Sequence, residues 1–135
     1  PMSEYSAVIP KFIRFLLQGK RPTIHGDGSQ SRNFTFVENV VQANLLVCDQ
    51  DAPMRGAYNI AYGESTSVIE IATQLCELLS ISPDFEFEPS RSGDVAKSWA
   101  SIEKAKTSFG YEPAVDLKEG LRRTVDWYRS TAEAF

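Results

Sequence analysis

The strongest constraint on the fold is a helical spacing of apolar residues that recurs along the chain, with short strand-like segments in between. Four long segments place apolar residues three and four positions apart and therefore predict helices: 7–18, 37–48, 67–79 and 117–128. A shorter helix is predicted over 102–109, because Gly110 supplies a stop signal.

The segments between these helices have the composition or the alternation of short strands. They are 22–25, 33–36, 57–60 and 85–88. The sequence shows no internal repeat, low-complexity tract or linker. Helices that alternate with short strands predict one α/β or α+β domain over 1–135.

Two of the predicted helices carry specific expectations. Helix 37–48 places Val40, Val41, Leu45 and Leu46 on one side, which predicts an apolar face. Helix 67–79 opens with Ser67 and Glu70, whose spacing is that of a capping box.

Composition excludes several classes of protein. The 135 residues include 14 Lys and Arg against 18 Asp and Glu, for a formal net charge of −4. This acidic balance lacks the positive field that attracts a phosphate backbone, so no nucleic-acid partner is expected. Uncharged apolar runs such as Phe15-Leu16-Leu17 are far shorter than the roughly 20 residues of a membrane span. No basic segment followed by an apolar stretch is visible near Pro1, so a cytoplasmic location is expected.

The two cysteines and the single histidine favour structural or binding roles over catalysis. Cys48 and Cys76 lie outside any Cys-x-x-Cys pattern and are predicted to be small buried hydrophobes rather than a disulfide or metal pair. His25 has no Ser or Cys arranged around it as a triad and cannot belong to a His-rich metal site. A surface or pocket-wall histidine is the favoured interpretation, and a catalytic base is the alternative.

Motifs of cofactor-dependent catalysis are missing from the sequence. The glycines form neither a G-x-G-x-x-G nor a Walker pattern, so no residue is predicted to bind a dinucleotide. None of the five tyrosines is followed four positions later by a lysine, which removes a Tyr-x-x-x-Lys acid–base pair. The residues alone therefore do not predict a self-sufficient enzyme.

Two loop arginines and one aspartate are the best candidates for binding. Arg32 closes the glycine-rich loop 26–31, and Arg91 and Asp94 share a second polar loop. Guanidinium groups suit phosphate because their planar fork donates two parallel hydrogen bonds, and a carboxylate accepts hydrogen bonds from sugar hydroxyls. The alternative is that Arg91 and Asp94 pair with each other, or that both arginines are simply solvated.

Five motifs nevertheless follow the order and spacing of one family over nearly the whole chain. They are Val8-Ile9-Pro10-Lys11-Phe12, Thr23-Ile24-His25-Gly26-Asp27-Gly28-Ser29-Gln30-Ser31-Arg32-Asn33-Phe34, Val37-Glu38-Asn39-Val40-Val41-Gln42-Ala43-Asn44, Tyr58-Asn59-Ile60 with Gly63-Glu64-Ser65-Thr66-Ser67, and Arg91-Ser92-Gly93-Asp94-Val95 leading to Lys104-Ala105. The chain resembles the C-terminal part of an extended short-chain dehydrogenase/reductase of the nucleotide-sugar epimerase/dehydratase group. Within that group it is most similar to UDP-glucose and UDP-N-acetylglucosamine 4-epimerases.

The resemblance implies roles for nine residues. Those expected around the nucleotide base are Ala7, Val8, Phe12, Thr23, Ile24 and His25. Arg32 and Arg91 match the two arginines that contact the pyrophosphate in this family. Asp94 matches the acidic residue that holds the ribose.

The resemblance also implies an α/β fold and a partial chain. The expected architecture is a small substrate domain plus a helix and a strand, within 37–61, that pack on a Rossmann core absent from these residues. By resemblance, the glycines that bind NAD and the Tyr-x-x-x-Lys pair precede Pro1. The whole protein is then an NAD-dependent enzyme acting on a UDP-hexose or UDP-N-acetylhexosamine, and a homodimer.

Two alternatives remain open at this point. One is a nucleotide-sugar dehydratase or decarboxylase of the same family, and the other is a non-catalytic module that binds nucleotide sugars. The sequence also departs from the family at two places. Asn33 replaces the usual Asp after Arg32, and Ser101 replaces the usual Asp after Ala100. These departures concern local turns and caps more than ligand contacts.

Overall fold

Helices form most of the regular structure in the computed structural model, which describes residues 8–51 and 55–131. The elements in chain order are α1 (Val8–Leu17), β1 (Thr23–His25), β2 (Ser31–Arg32), α2 (Val37–Cys48), β3 (Thr66–Ser67), α3 (Val68–Leu79), β4 (Glu86–Glu88), α4 (Glu103–Phe109) and α5 (Leu117–Thr131). The expectation of a mixed α/β domain is confirmed.

The predicted helices are all present. Helix α2 has the predicted bounds, and α5 continues three residues beyond the predicted end at Tyr128. At the start of α3 the Ser67 hydroxyl accepts a hydrogen bond from the Glu70 N–H at 3.3 Å, and the Glu70 carboxylate accepts one from the Ser67 N–H at 2.8 Å. The hydrogen bonds from Ser67 lower the pKa of Glu70, and the capping box is confirmed. None of the helices in 8–51 and 55–131 is long and apolar enough to cross a membrane.

The main hydrophobic core lies where α1, α3 and α5 pack together. Ile13 of α1 and Ile71 and Leu75 of α3 are fully buried, and Val125 of α5 closes the cluster. A second, smaller cluster joins α2 to α4 and the segment that follows it: Ala43, Ala105, Phe109 and Tyr111. The main core supports β1, because Ile24 is buried in it.

The strands form two separate pairs. β1 runs parallel to β4, with His25 opposite Glu88. β2 runs antiparallel to β3, with Arg32 opposite Thr66. Both candidate loops therefore start from a paired strand: the glycine-rich loop follows β1, and the loop with Arg91 follows β4.

Two predicted strands are wrong. Residues 33–36 are irregular, because their side chains take the hydrogen bonds that a ladder would take; the Thr35 hydroxyl, for example, accepts one from the Tyr62 N–H at 3.2 Å. Residues 57–60 are irregular as well, since no described segment pairs with them. Side chains hold this stretch instead: Lys104 donates to the Ala57 carbonyl at 2.8 Å, and Tyr111 donates to the Ala61 carbonyl at 2.9 Å.

Helix α2 exposes the face that its sequence makes apolar. Val41 and Leu45 are 51% and 65% exposed, whereas the buried residues of the helix are Asn39 and Ala43. Asn39 is buried because its amide pairs with the backbone of the segment before α5. Cys48, predicted to be buried, ends this helix on its exposed side, whereas Cys76 is buried as expected.

Candidate functional site

A cavity of about 180 Å³ opens between the start of α1, strand β1 and the two polar loops. Its lining residues are Val8, Phe12, Thr23, Ile24, His25, Gln30, Arg32, Phe34, Val68, Arg91 and Asp94. Eight of the nine residues singled out from the sequence are in this set, and the ninth, Ala7, lies outside the described residues. Tertiary structure thus gathers residues that are up to 86 positions apart, from Val8 to Asp94.

One wall of the cavity is apolar and rigid. Phe12 of α1 and Ile24 of β1 are almost completely buried, so their positions are set by the main core. Phe34 and Val68 complete this wall from the segment after β2 and the first turn of α3. A flat aromatic ring fits such a wall because it gains contact area without leaving polar groups unpaired.

The cavity lining also carries an ion pair that joins β2 to the loop with Arg91. Arg32 donates from Nη2 to Asp94 Oδ1 at 2.7 Å and from Nη1 to the Ser31 carbonyl at 2.8 Å. The two charged side chains are 30% and 37% exposed, so both remain accessible to a ligand. Asp94 therefore pairs with Arg32, and the suggested pairing of Asp94 with Arg91 is not what the structure contains.

Arg91 is held by His25 instead. Its Nη2 lies 2.7 Å from His25 Nε2, and because a guanidinium only donates, that nitrogen accepts. The ring proton then lies on Nδ1, which is 3.5 Å from the Glu88 carboxylate. His25 is thus a pocket-wall residue that orients an arginine.

Gln30, Phe34 and Val68 line the cavity but were not singled out from the sequence. Gln30 donates from Nε2 to the His25 carbonyl at 2.8 Å and so ties the glycine-rich loop back to β1. Gln30 follows two glycines and comes two positions before Arg32, and this position in the sequence indicates that it lies near the candidate site. Phe34 was hidden by the wrong strand prediction, and the approach of Val68 has no signal in the local sequence.

The glycine-rich loop has a defined turn. Gly28 adopts a φ of +79°, and a Cβ placed there would lie 2.9 Å from the Ile69 Cβ, so only glycine fits. Asp27 Oδ1 accepts from the Ser29 N–H at 2.9 Å, and the hydrogen bonds from Ser29 lower the pKa of Asp27. The turn brings Gln30 and Arg32 to the cavity. A second cavity of about 160 Å³ lies between this loop and the loop that contains Arg91.

The described residues do not fit a dinucleotide cofactor. Each sheet has only two strands, and none of the described helices begins directly after a glycine-rich loop, which is the usual cradle of a pyrophosphate in such cofactors. Across 8–51 and 55–131, no group of His, Cys, Asp or Glu is arranged to hold a metal ion. What the cavity offers is two cationic forks, one carboxylate and an apolar wall, and these groups suit the binding of a phosphorylated nucleoside.

Comparison with known proteins decides the family. The family model described as GDP-mannose 4,6 dehydratase matches residues 3–124. The chain belongs to that family. The resemblance to nucleotide-sugar epimerases and dehydratases is confirmed, and so is the placement of the fold within the C-terminal part of such enzymes.

Three curated relatives of the chain have three different activities. UDP-glucose 4-epimerase of Mycolicibacterium smegmatis is 32% identical over 130 residues, which are 95% of the chain and 41% of the relative. UDP-glucuronic acid decarboxylase 1 of Danio rerio is 32% identical over 126 residues, 93% of the chain and 30% of the relative. dTDP-D-glucose 4,6-dehydratase of Mus musculus is 32% identical over 136 aligned positions, which cover 90% of the chain and 36% of the relative. The chain thus spans well under half the length of these relatives.

Solved structures give the same match in three dimensions. UDP-N-acetylglucosamine 4-epimerase of Methanobrevibacter ruminantium, in complex with UDP-N-acetylmuramic acid, superposes with a TM-score of 0.88 at 36% identity, over 96% of the chain and 41% of that structure. UDP-glucose 4-epimerase of Thermotoga maritima with UDP-glucose gives 0.88 at 35% identity, over 96% and 42%. UDP-glucuronic acid 4-epimerase of Bacillus cereus, with UDP-glucuronic acid and NAD, gives 0.87 at 28% identity, over 96% and 42%.

Proposed function

We propose that this chain is the substrate-binding part of an NAD-dependent UDP-sugar 4-epimerase, of the UDP-glucose or UDP-N-acetylglucosamine type, and that its cavity holds the UDP moiety. One observation carries this proposal: Arg32 of β2 and the loop residues Arg91 and Asp94 line a single cavity together with an apolar wall. The epimerases of known structure that resemble the chain, and their UDP-sugar complexes, support it.

The two arginines are suited to the pyrophosphate. Each is now oriented by one side-chain acceptor, Asp94 for Arg32 and His25 for Arg91. A diphosphate brings more negative charge than either acceptor, and its oxygens match the guanidinium fork, so it competes well for both. Asp94, once its pairing with Arg32 loosens, accepts from ribose hydroxyls.

The base is assigned to the apolar side. Val8 and Phe12 present hydrocarbon surface at the start of α1, and β1 presents extended backbone at Thr23 and Ile24. A uracil needs this combination, because its faces are apolar while its edge carries one donor and two acceptors.

NAD is proposed as the cofactor of a longer protein, bound by residues beyond the 135 of this chain. The complexes of UDP-glucuronic acid 4-epimerase with NAD support that assignment. When bound, NAD supplies hydride transfer. The residues of this chain bind and orient the nucleotide sugar, and no catalytic group is assigned among them.

Segment 37–61 is proposed to pack on that NAD-binding part, and the longer protein to be a homodimer. Val41 and Leu45 of α2 form an exposed apolar face, and residues 57–60 pair with no strand within 8–51 and 55–131. Both features are costly in isolation and are relieved by a neighbouring sheet and its helices. Amide exchange tests this: the described residues of 37–61 should be the least protected in the isolated chain. Uniformly strong protection in a demonstrated monomer would refute the packing proposal.

A dehydratase or decarboxylase is the second candidate. The relatives with these activities are as identical to the chain, at 32%, as one of the epimerases is. All three activities share a nucleotide-sugar substrate, so the proposed role of the cavity is the same. Analysis of the sugar product formed by the longer protein distinguishes the three reactions.

The binding proposal is tested by titrating the full 135-residue chain with UDP, UDP-N-acetylglucosamine and NAD, using calorimetry or NMR. UDP and its sugar should bind and NAD should not. Arg32→Ala and Arg91→Ala should abolish binding, whereas Arg129→Ala, an exposed arginine of α5 outside the cavity, should bind like the wild type. Binding of NAD alone would overturn the assignment.

A further inference from the structure

Asn33 connects three separate segments next to the cavity. Its Nδ2 donates to the Glu64 carbonyl at 2.6 Å, and its Oδ1 accepts from the Ala100 N–H at 2.7 Å. One partner is an acceptor and the other a donor, so the orientation of the amide is determined by its surroundings.

Those segments hold the binding loop in place. β2, directly before Asn33, carries Arg32 and pairs with β3, which follows Glu64. The backbone of Ser31 bonds to the loop that carries Asp94. The Ser31 N–H donates to the Ala96 carbonyl at 2.9 Å, and the Ser31 carbonyl accepts from the Ser98 N–H at 3.0 Å. Asn33 fastens the end of that loop, four residues beyond Ala96.

The Trp99 indole makes a further contact between the loop that carries Asp94 and the segment before β3. Its Nε1 donates to the Gly63 carbonyl at 3.2 Å, although the ring is largely exposed. The loop that carries Asp94 is thus attached to β2 at Ser31 and to the segment before β3 at Gly63. Arg32 and Asp94 are both partly exposed, so packing alone does not hold the 2.7 Å distance between them.

An aspartate, the residue that the resemblance leads one to expect here, does not satisfy this arrangement. One oxygen of a carboxylate accepts from the Ala100 N–H. The other takes the place of Asn33 Nδ2, which lies 2.6 Å from the Glu64 carbonyl oxygen. Two acceptors at that distance repel each other, and the Glu64 carbonyl loses its donor. An amide supplies both a donor and an acceptor to these two partners, whereas an ionised carboxylate supplies acceptors alone.

We propose that Asn33 is a positioning residue of the nucleotide site: by bridging the Glu64 carbonyl and the Ala100 N–H, it sets the separation of Arg32 and Asp94. The inference rests on the proposed function for its effect on binding. Its structural step, the fastening of residues 94–100, stands on the hydrogen bonds alone.

The test compares Asn33→Asp with the wild type and with Asn44→Asp, in the full chain. Asn44 lies on α2, where its amide donates only to the Val40 carbonyl, so that variant adds the same charge away from the cavity. We expect Asn33→Asp to weaken UDP binding roughly tenfold, as loss of one hydrogen bond beside a charged site does, and Asn44→Asp to bind like the wild type.

A pH series separates positioning from a general loss of structure. The ratio of the UDP dissociation constants of Asn33→Asp and the wild type should fall toward one on acidification, because a protonated carboxyl again supplies a donor to the Glu64 carbonyl. The ratio cancels the ionisation of UDP itself. A constant ratio, or equal affinities at neutral pH, would overturn the inference while leaving the proposed function intact.

Amide exchange measured without ligand decides the structural step independently. The Ala100 N–H and residues 96–98 should exchange faster in Asn33→Asp than in Asn44→Asp or the wild type. If no UDP binds to the wild type, the proposed function fails, and the exchange result still supports or refutes the fastening of the loop by Asn33.

Discussion

Arg91 Nη2 lies 2.7 Å from His25 Nε2, and this contact, rather than a pairing with Asp94, holds Arg91 at the cavity. It requires an unprotonated Nε2, because a protonated imidazole has donors on both nitrogens. The other charged groups around the ring and Arg91 are Glu88 on β4, Asp94 on the loop after it, Asp27 on the glycine-rich loop and Arg32 on β2.

We therefore expect the Arg91 side chain to change its environment in His25→Phe, because phenylalanine removes the acceptor of Arg91 Nη2. The Arg91 Nε–H resonance in NMR spectra should shift between the wild type and His25→Phe. The resonance of Arg129, on α5 outside the cavity, should not shift. An unchanged Arg91 resonance would show that the two side chains do not interact in solution.

Asp94→Asn should separate binding from stability. Its pairing with Arg32 is partly exposed, so its loss should change the free energy of unfolding by less than about 1 kcal/mol. UDP binding should weaken roughly tenfold, because a charge-assisted contact to the ligand is lost. Urea unfolding and calorimetry on the same sample measure both quantities, and a large loss of stability with unchanged binding would refute the assignment of Asp94.

Asn39 should be the most sensitive polar position of α2. It is completely buried, accepts from the N–H groups of Ala114 and Val115 at 3.0 and 2.9 Å, and donates to the Val115 carbonyl at 2.8 Å. Asn39→Ala leaves these groups unpaired and should cost about 2–4 kcal/mol in urea unfolding. Asn44→Ala on the same helix is the control, and it should cost less than about 1 kcal/mol.

Gly120→Ala should destabilise the chain even though alanine favours helices. The substitution gains about 1 kcal/mol of helix propensity in α5. The new Cβ, however, would lie 2.9 Å from the Phe36 Cβ, an atom fixed to the backbone, and such overpacking costs about 1–3 kcal/mol. Thermal unfolding should show a lower Tm. In a Phe36→Ala background the same substitution should be neutral or stabilising, and a loss there would contradict the steric explanation.

Glu119 should make stability depend on pH in strongly acidic solution. Hydrogen bonds from Arg122 and then Arg123 lower its pKa to about 2 from the ordinary 4.5. A lowered pKa in the folded state means that the carboxylate contributes stability above the ordinary value, and that this contribution is lost as the pH falls from 4.5 toward 2. The difference in unfolding free energy between the wild type and Glu119→Gln should therefore shrink over that interval. A difference that stays constant from pH 6 to about pH 2 would contradict the assignment.

Local features were predictable from the sequence wherever neighbouring residues determine them. The bounds of α2, the capping box of Ser67 and Glu70, and the end of α4 at Gly110 follow from apolar spacing and from side chains within one turn. The candidate site residues from Val8 to Asp94 could be predicted for a different reason, because the motifs that contain them resemble those of a family. No local rule links α1 to a loop more than 70 residues away.

The sequence by itself determined the helices, the capping box of α3 and the set of side chains that we propose to bind a phosphorylated nucleoside. Tertiary structure alone decided the rest: Arg32 rather than Arg91 pairs with Asp94, residues 33–36 bond through side chains, and Val68 joins the cavity wall. The hydrogen-bond partner of a side chain is selected among groups that are distant in the chain. Packing of the core brings only some of these groups within hydrogen-bond distance. Local propensity carries no information about that distance, because it acts within a few residues.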